Sequence, residues 1–282
     1  MKVFIAKSLS EQFPIFYDSL VQALWEYSID VEELPTQNLW ARDYMPVRTN
    51  GQLTKFNYIV GESMIFPQLE VDPKCWSWLE PRQSNLSIDG GNVEQNDTTV
   101  LMTDIVFQHN NFSGIMKNLL IQSLEKRFKK KIIFLPVEPD DDLGHIDGIA
   151  KFIDSKKVFI NDYSVMNNSM YNSYQELIEK TLMDNGLEPV ILPFAYHKCP
   201  HLSHNAFYSK YPFADDQNEG TGYYINMLEL EKILLLPSFG FEEDDKCKEV
   251  VEQYYPDKKI IQIDCSDVSQ LGGLIHCVTW EM

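Results

Sequence analysis

Three observations predict an α/β fold: the β-forming runs are short, helical patterns separate several of them, and the polar segments between them recur at a spacing near one strand-and-helix unit. The β runs are Met1–Ala6, Val100–Met102, Lys131–Leu135, Lys157–Ile160, Pro189–Leu192, Lys232–Leu236 and Lys259–Ile263. Val, Ile, Leu and Phe dominate them and polar residues flank them, as in buried strands. Helical patterns cover Glu11–Tyr27, Phe112–Lys129, Asn172–Asn185 and Glu243–Tyr254. In the second of these, Ile115, Leu119, Leu120, Leu124 and Phe128 share helical spacing. It closes on Lys126, Arg127, Lys129, Lys130 and Lys131, where basic side chains meet the partial negative charge of free carbonyls. No aromatic residue is interleaved with that cluster, so it reads as a solvated helix end rather than a nucleic-acid patch. Tyr163–Asn172 and Ala195–Thr221 lack periodicity and are rich in Asn, Tyr, Ser and Pro, so they are expected to be long loops of the kind that form lids or binding loops.

A chain of 282 residues, 44% hydrophobic, can bury a sizeable core. No Pro/Gly/Ser-rich linker divides it, so a single domain spanning 1–282 is expected. With 42 acidic against 24 basic residues the formal charge is −18, which repels phosphate backbones and anionic membrane surfaces and argues against nucleic-acid or membrane partners. Such a charge draws a cationic small molecule toward the surface, although acidity also serves solubility alone. The N-terminus lacks a signal-peptide core, and no stretch reaches the roughly 20 apolar residues of a membrane span. The five cysteines, Cys75, Cys199, Cys247, Cys265 and Cys277, are odd in number and widely spaced, which reads as reduced thiols in a cytoplasmic protein.

Five polar segments stand at strand ends: Trp40-Ala41-Arg42-Asp43-Tyr44-Met45-Pro46, Asp89-Gly90-Gly91-Asn92, Gly144-His145-Ile146-Asp147-Gly148, Tyr224-Ile225-Asn226, and Gly272-Gly273-Leu274-Ile275-His276-Cys277. Asp43, Asp89, His145, Asn226 and Cys277 follow one another at intervals of 46, 56, 81 and 51 residues, and a fifth of the chain is about 56. A ring of about five strand-and-helix modules, each offering one polar tip to a shared centre, would bring them together. Singly, each has a plainer meaning. Asp-Gly-Gly-Asn alone reads as a hairpin turn, Gly-His-Ile-Asp-Gly as a loop with a satisfied histidine, and Cys277 as a small core residue.

Jointly they are the parts for nucleophilic attack on a cation. A guanidinium stays protonated, is planar, and presents a fork of N–H donors that matches carboxylates. Its carbon is resonance-stabilised, so a thiolate is required, the strongest nucleophile a side chain supplies at neutral pH. An imidazole poised near neutral pH can protonate the departing amine and then take a proton from water.

Trp-x-Arg-Asp-x-x-Pro, Asp-Gly-Gly-Asn, Gly-His-x-Asp, Tyr-x-Asn followed by a strand and Pro-x-Phe-Gly, and Gly-Gly-x-Ile-His-Cys-x-Thr occur here from Trp40 to Thr279. As an ordered set they resemble the agmatine deiminase and bacterial peptidylarginine deiminase family. That resemblance implies the pentein fold, a five-fold pseudosymmetric α/β propeller of ββαβ modules around a polar funnel. It implies Cys277 as nucleophile, His145 as general acid and base, and Asp89 and Asp147 as the carboxylates that grip the guanidinium. Asp43 corresponds to a further acidic position, while Trp40, Asn92 and Asn226 match positions that shape or line the site. The implied reaction passes through an amidino-thioether to a ureido product, with no metal or organic cofactor. Burial beside Asp43, Asp89 and Asp147 should raise the Cys277 pKa, so a cationic substrate is expected to help generate the thiolate.

Two departures bear on the substrate. Met45 stands where relatives usually carry glycine, expected to add bulk near the pocket, and Trp280-Glu281-Met282 replace the usual Gln and Pro after Cys-x-Thr. Agmatine, converted to N-carbamoylputrescine, is the first choice of substrate, and a peptidylarginine or other substituted guanidine the second. Amidino transfer to an amine, and a lapsed enzyme that only binds guanidino compounds, are the other readings. His197, Cys199, His201 and His204 have ligand chemistry but no familiar metal-site spacing, and read better as a mobile or substrate-facing loop. Asp215–Gly222 lacks the closing glutamate of a calcium loop. Whether the protein forms a homo-oligomer is left open.

Overall fold

A computed structural model describes residues 1–58, 71–139, 141, 143–195 and 220–282. Its strands are β1 Lys2–Ala6, β2 Asp30–Leu34, β3 Val47–Thr49, β4 Gln52–Asn57, β5 Arg82–Ser87, β6 Glu94–Gln95, β7 Thr99–Thr103 and β8 Lys131–Leu135. They continue with β9 Ala150–Phe152, β10 Lys157–Asn161, β11 Glu188–Leu192, β12 Leu228–Glu229, β13 Ile233–Ser238, β14 Lys259–Asp264 and β15 Thr279–Glu281. The helices are α1 Ser8–Gln12, α2 Pro14–Glu26, α3 Ala41–Tyr44, α4 Ile105–His109, α5 Lys117–Phe128, α6 Ser169–Asp184, α7 Glu242–Tyr254 and α8 Ile275–Val278.

These strands form five separate three-stranded sheets: β15-β1-β2, β3-β4-β5, β6-β7-β8, β9-β10-β11 and β12-β13-β14. The same pattern governs each. The central strand runs antiparallel to a short partner and parallel to a longer one. Parallel neighbours need a crossover, and helices supply it: α1 and α2 between β1 and β2, α4 and α5 between β7 and β8, α6 between β10 and β11, and α7 between β13 and β14. The first and last strands share a sheet, with Ile5 opposite Thr279 and Val3 opposite Glu281.

Central strands are buried on both faces; Thr99–Thr103 is buried throughout, as are Val158–Asn161 and Ile233–Pro237. Continuous apolar runs are what such strands require. Their side chains merge with the crossover helices in one large cluster around Leu234, Leu235, Leu20 and Leu24, and in smaller ones around Ile160 and Leu124.

Several helix boundaries differ from expectation for local reasons. The pattern over Glu11–Tyr27 is split: Phe13 leaves helical geometry at φ −130°, ψ 61°, and Pro14 starts α2, a position where its missing N–H costs nothing. In α5 the buried stripe is Leu120, Leu124 and Phe128, whereas Leu119 lies on the outer side of the same helix and Ile115 in the preceding 3-10 turn Gly114–Met116, and the two are 57% and 86% exposed. The expected loop Tyr163–Asn172 holds a 3-10 turn, Tyr163–Met166, and the start of α6. The Asn168 side chain accepts from Met170 N at 2.9 Å and caps that helix, whose buried stripe is Tyr171, Tyr174, Ile178 and Leu182. Most of Ala195–Thr221 lies outside the described residues. Among the described residues no helix is long and apolar enough to cross a membrane.

One repeated detail positions the site. A tight turn precedes the short outer strand of every sheet: α3 before β3, the 3-10 turns Gly90–Asn92 and Ile146–Gly148 before β6 and β9, the turn ending at Asn226 before β12, and α8 before β15. Asp-Gly-Gly-Asn is therefore not a hairpin, since β5 and β6 pair with different partners. α3 packs against the Gly90–Asn92 turn and against α8, and the Gly90–Asn92 turn packs against Ile146–Gly148.

Candidate active site

Cys277 lies in α8, a single turn buried on its Ile275, His276 and Val278 sides. Asn226 shapes that turn with its whole amide. Its Oδ1 accepts from the backbone N of His276 at 3.0 Å and of Cys277 at 3.4 Å, and its Nδ2 donates to Cys277 Sγ at 3.1 Å and to the Asp147 carbonyl at 3.3 Å. Asp147 Oδ2 is 3.6 Å from Sγ. Burial above all, then the charges of Asp147 and Asp43, push the thiol pKa well above its usual 9.0. Cys277 thus rests as a thiol.

Asp147 itself is held below the usual carboxylate range. Burial works against this, and the opposing causes win: the hydrogen bond from His276, then the charges of His145 and Arg42. His276 Nδ1 sits 2.7 Å from Asp147 Oδ2. Burial, then the Arg42 guanidinium, push the His276 pKa down to about 4. His276 is therefore a neutral imidazole that donates its Nδ1 hydrogen to a carboxylate.

Opposite, Asp43, Asp89 and His145 gather around Gly91. Asp43 Oδ1 accepts from Gly91 N at 2.9 Å and stands 3.5 Å from His145 Nδ1, while Asp89 Oδ2 stands 3.3 Å from His145 Nε2. A Cβ on Gly91 would lie 2.6 Å from Asp43 Oδ1, 2.7 Å from His145 Nδ1 and 3.3 Å from Asp147 Oδ1, so only glycine lets the three converge. Burial lowers the His145 pKa, but Asp43, Asp89 and Asp147 overcome it and the net shift is upward. Burial, joined by Asp89 and Asp147, raises Asp43. An imidazole poised near neutrality was expected; three carboxylates instead keep His145 protonated through that range.

A family model described as Porphyromonas-type peptidyl-arginine deiminase matches residues 5–282. The chain belongs to that family. A provisionally named agmatine deiminase of Enterococcus faecalis is 25% identical over 90% of this chain and 77% of its own length. Among solved structures, the agmatine deiminase of C. jejuni superposes with a TM-score of 0.79 at 17% identity, covering 99% of this chain and 92% of that one. The agmatine deiminase of Enterococcus faecalis gives 0.71 at 20% identity, with the same coverage. These likenesses establish a shared fold, and membership of the deiminase family makes the chain an enzyme.

Other predicted positions in this family member are less direct. Asn92 Oδ1 accepts from Thr103 N at 2.8 Å and Thr103 Oγ1 at 3.1 Å, fastening its turn to β7. Trp40 is half-buried and lies so close to Gly273 that a Cβ there would meet its ring at 2.3 Å. Met45, expected to add bulk near the pocket, is 2% exposed and packs with Phe4, Leu34, Tyr44 and Trp280, so its bulk fills core. His197, Cys199, His201 and His204 lie outside the described residues, among which no group of three His, Cys, Asp or Glu side chains could hold a metal ion. Cys75, Cys247, Cys265 and Cys277 are free thiols.

Sequence reading passed over Arg42 and His276, although both lie inside the quoted motifs. The Arg42 guanidinium pairs with Glu281, and its Nε donates to the His276 carbonyl at 3.4 Å. Arg42 therefore ties α3 to α8 and to β15. Only the clustering of charge in Trp-x-Arg-Asp and Ile-His-Cys could have signalled these two.

Proposed function

We propose that the chain hydrolyses a guanidino group to a ureido group with release of ammonia, through a covalent adduct on Cys277. The observation that carries this reading is the carboxylate of Asp147 placed 3.6 Å from the Cys277 thiol in a buried site. A neighbouring anion suppresses thiolate, the reverse of what a hydrolase of neutral substrates needs. A cationic substrate resolves the conflict. Once a guanidinium occupies the carboxylates, its charge offsets theirs and the thiol can lose its proton to solvent, where the ammonia released later takes it up.

In the proposed sequence the guanidinium nitrogens bind Asp147 and Asp89, with Asp43 nearby. The thiolate adds to the central carbon. His145, already protonated, passes its proton to the departing nitrogen, and ammonia leaves an amidino-thioether. The now neutral imidazole takes a proton from water as its oxygen adds to the same carbon. The C–S bond breaks as the hydroxyl proton passes to the departing sulfur, so that Cys277 returns as the thiol and the neutral ureido product leaves. Trp40, Asn92 and Asn226 shape the site, Asn226 by holding Sγ. The five sheets are taken as blades of one pseudosymmetric pentein propeller, and residues 1–282 as one catalytic domain. Agmatine is the preferred substrate, supported by the names of the relatives and by the acidity of the site; a peptidylarginine or other substituted guanidine is the alternative.

The test is ammonia and ureido formation from agmatine, free arginine, arginyl peptides and methylated guanidines, with Cys277→Ala in parallel. Turnover of one compound that vanishes in C277A is expected. If no compound is turned over and intact mass reveals no adduct on Cys277 with any of them, the deiminase reading fails. An adduct without ureido product points to amidino transfer.

A further inference from the structure

Beyond Asp147 and Asn226 lies a carboxylate that the proposed reaction never touches. Glu138 follows β8, is 5% exposed, and accepts the phenol hydrogens of Tyr163 at 2.9 Å and Tyr223 at 2.8 Å, one on each oxygen. Tyr163 Oη accepts in turn from Asn161 Nδ2 at 3.2 Å, and the same nitrogen donates to the Gly148 carbonyl at 2.8 Å. Gly148 directly follows Asp147. Tyr223 opens the turn that ends at Asn226, whose backbone N donates to the Tyr223 carbonyl at 3.2 Å. The rings are held by neighbours: Tyr163 packs on Tyr174 and Phe194 at centroid distances of 5.1 Å and 5.3 Å, and Phe194 on Tyr223 at 4.8 Å.

We propose that Glu138 is a positioning residue for the reaction: by tying the Gly148 turn to the Tyr223 turn, it sets the spacing of the Asp147 carboxylate and the Asn226 amide about Cys277 Sγ. The proposal rests on Cys277 being the reactive thiol. A carboxyl group suits the task because it offers two oxygens at a fixed angle to two separate donors. Its protonation state matters little. Burial pushes Glu138 up to about 8 against the two phenol hydrogen bonds, with Asp141 adding to the rise. As an acid it accepts from one phenol and donates to the other; as a carboxylate it accepts from both. Glutamine reproduces the first pattern and leucine neither.

The experiment compares Glu138→Gln, Glu138→Leu, Tyr223→Phe and the E138L/Y223F double variant. Two readouts are used: kcat and KM on whichever guanidino compound is turned over, and the rate of Cys277 alkylation by iodoacetamide in substrate-free protein, followed on the Cys277 peptide by mass. Y223F and E138L should each lower kcat about tenfold with KM changed less than about twofold, and the double variant should fall no further than E138L, since both break one connection. E138Q should stay within about threefold of the parent. Y223F should also slow alkylation at pH 8 about threefold, because a loosened Asn226 no longer donates to Sγ. Unchanged kcat and alkylation in Y223F overturn the proposal, as does an E138Q as impaired as E138L. Y223F removes one oxygen from a half-buried ring, so it keeps the test alive if E138L fails to fold. Alkylation needs no substrate, so a silent substrate panel would count against the deiminase reading and leave this one standing.

Discussion

Asp147 faces two opposed demands. On the proposed reading its charge must receive a cation, yet the same charge, 3.6 Å from Sγ, discourages the thiolate that attacks that cation. Asp147→Asn should separate these effects. Alkylation of Cys277 in the free protein should quicken several-fold near pH 8, because one cause of the raised thiol pKa is gone. Turnover should meanwhile fall by about two orders of magnitude or more, as a guanidinium loses a charged partner. Slower alkylation in D147N would contradict the electrostatic account. Glu138 makes a second prediction at this scale. Its pKa is about 8 in the fold against 4.5 for the ordinary group. Below the lower value both states carry the proton and there is no penalty. Between the two, the unfolded chain releases it and the folded chain keeps it, so stability falls as pH rises, by about 1.4 kcal/mol per pH unit from this group. Denaturant midpoints of E138Q should therefore decline less steeply than those of the parent from pH 5 to 8. Parallel slopes would mean that Glu138 ionises freely in the fold.

The tight turns before the short strands are the elements that matter most to the site. Gly91→Ala tests them, since its Cβ would press on Asp43 Oδ1 and His145 Nδ1 at once. Loss of at least about a hundredfold in kcat/KM is expected, with a far smaller effect on thermal stability, because a shift of about 1 Å in reacting groups is enough to cost that much. What could be read from sequence follows the same division. Strands buried on both faces, such as β7, β10 and β13, declare themselves as apolar runs, and their predicted limits fall within two residues of those observed. β2 and β5 face solvent for much of their length and carry Glu33, Arg82 and Asn85, so no period stands out. β6 and β12 are two residues long and exist only through their partners. Asp43, Asp89, His145, Asp147, Asn226 and Cys277 were legible because acids, an imidazole and a thiol stand out in tight turns. The Arg42–Glu281 pair, 239 residues apart, and the two phenols on Glu138 were not, for each is made by tertiary contact alone.

The charge of −18 acts on the whole molecule. If the substrate is a dication, long-range attraction aids its capture, and KM should rise roughly threefold between 0.05 and 0.5 M salt while kcat stays level, because the Debye length shrinks over that range. A KM indifferent to salt would assign the charge to solubility. The pairing of β1 with β15 has another result. Lys2 and Met282 exchange backbone hydrogen bonds at 2.8 Å and 2.9 Å, so one sheet is assembled from the two extremes of the chain. Four sheets can form from neighbouring segments during refolding; this one waits for the longest loop to close. α8, which carries Cys277, leads directly into β15. On that order Cys277 is seated beside Asn226 and Asp147 last, and a half-refolded chain with the other four sheets paired should alkylate at Cys277 yet show none of the proposed turnover.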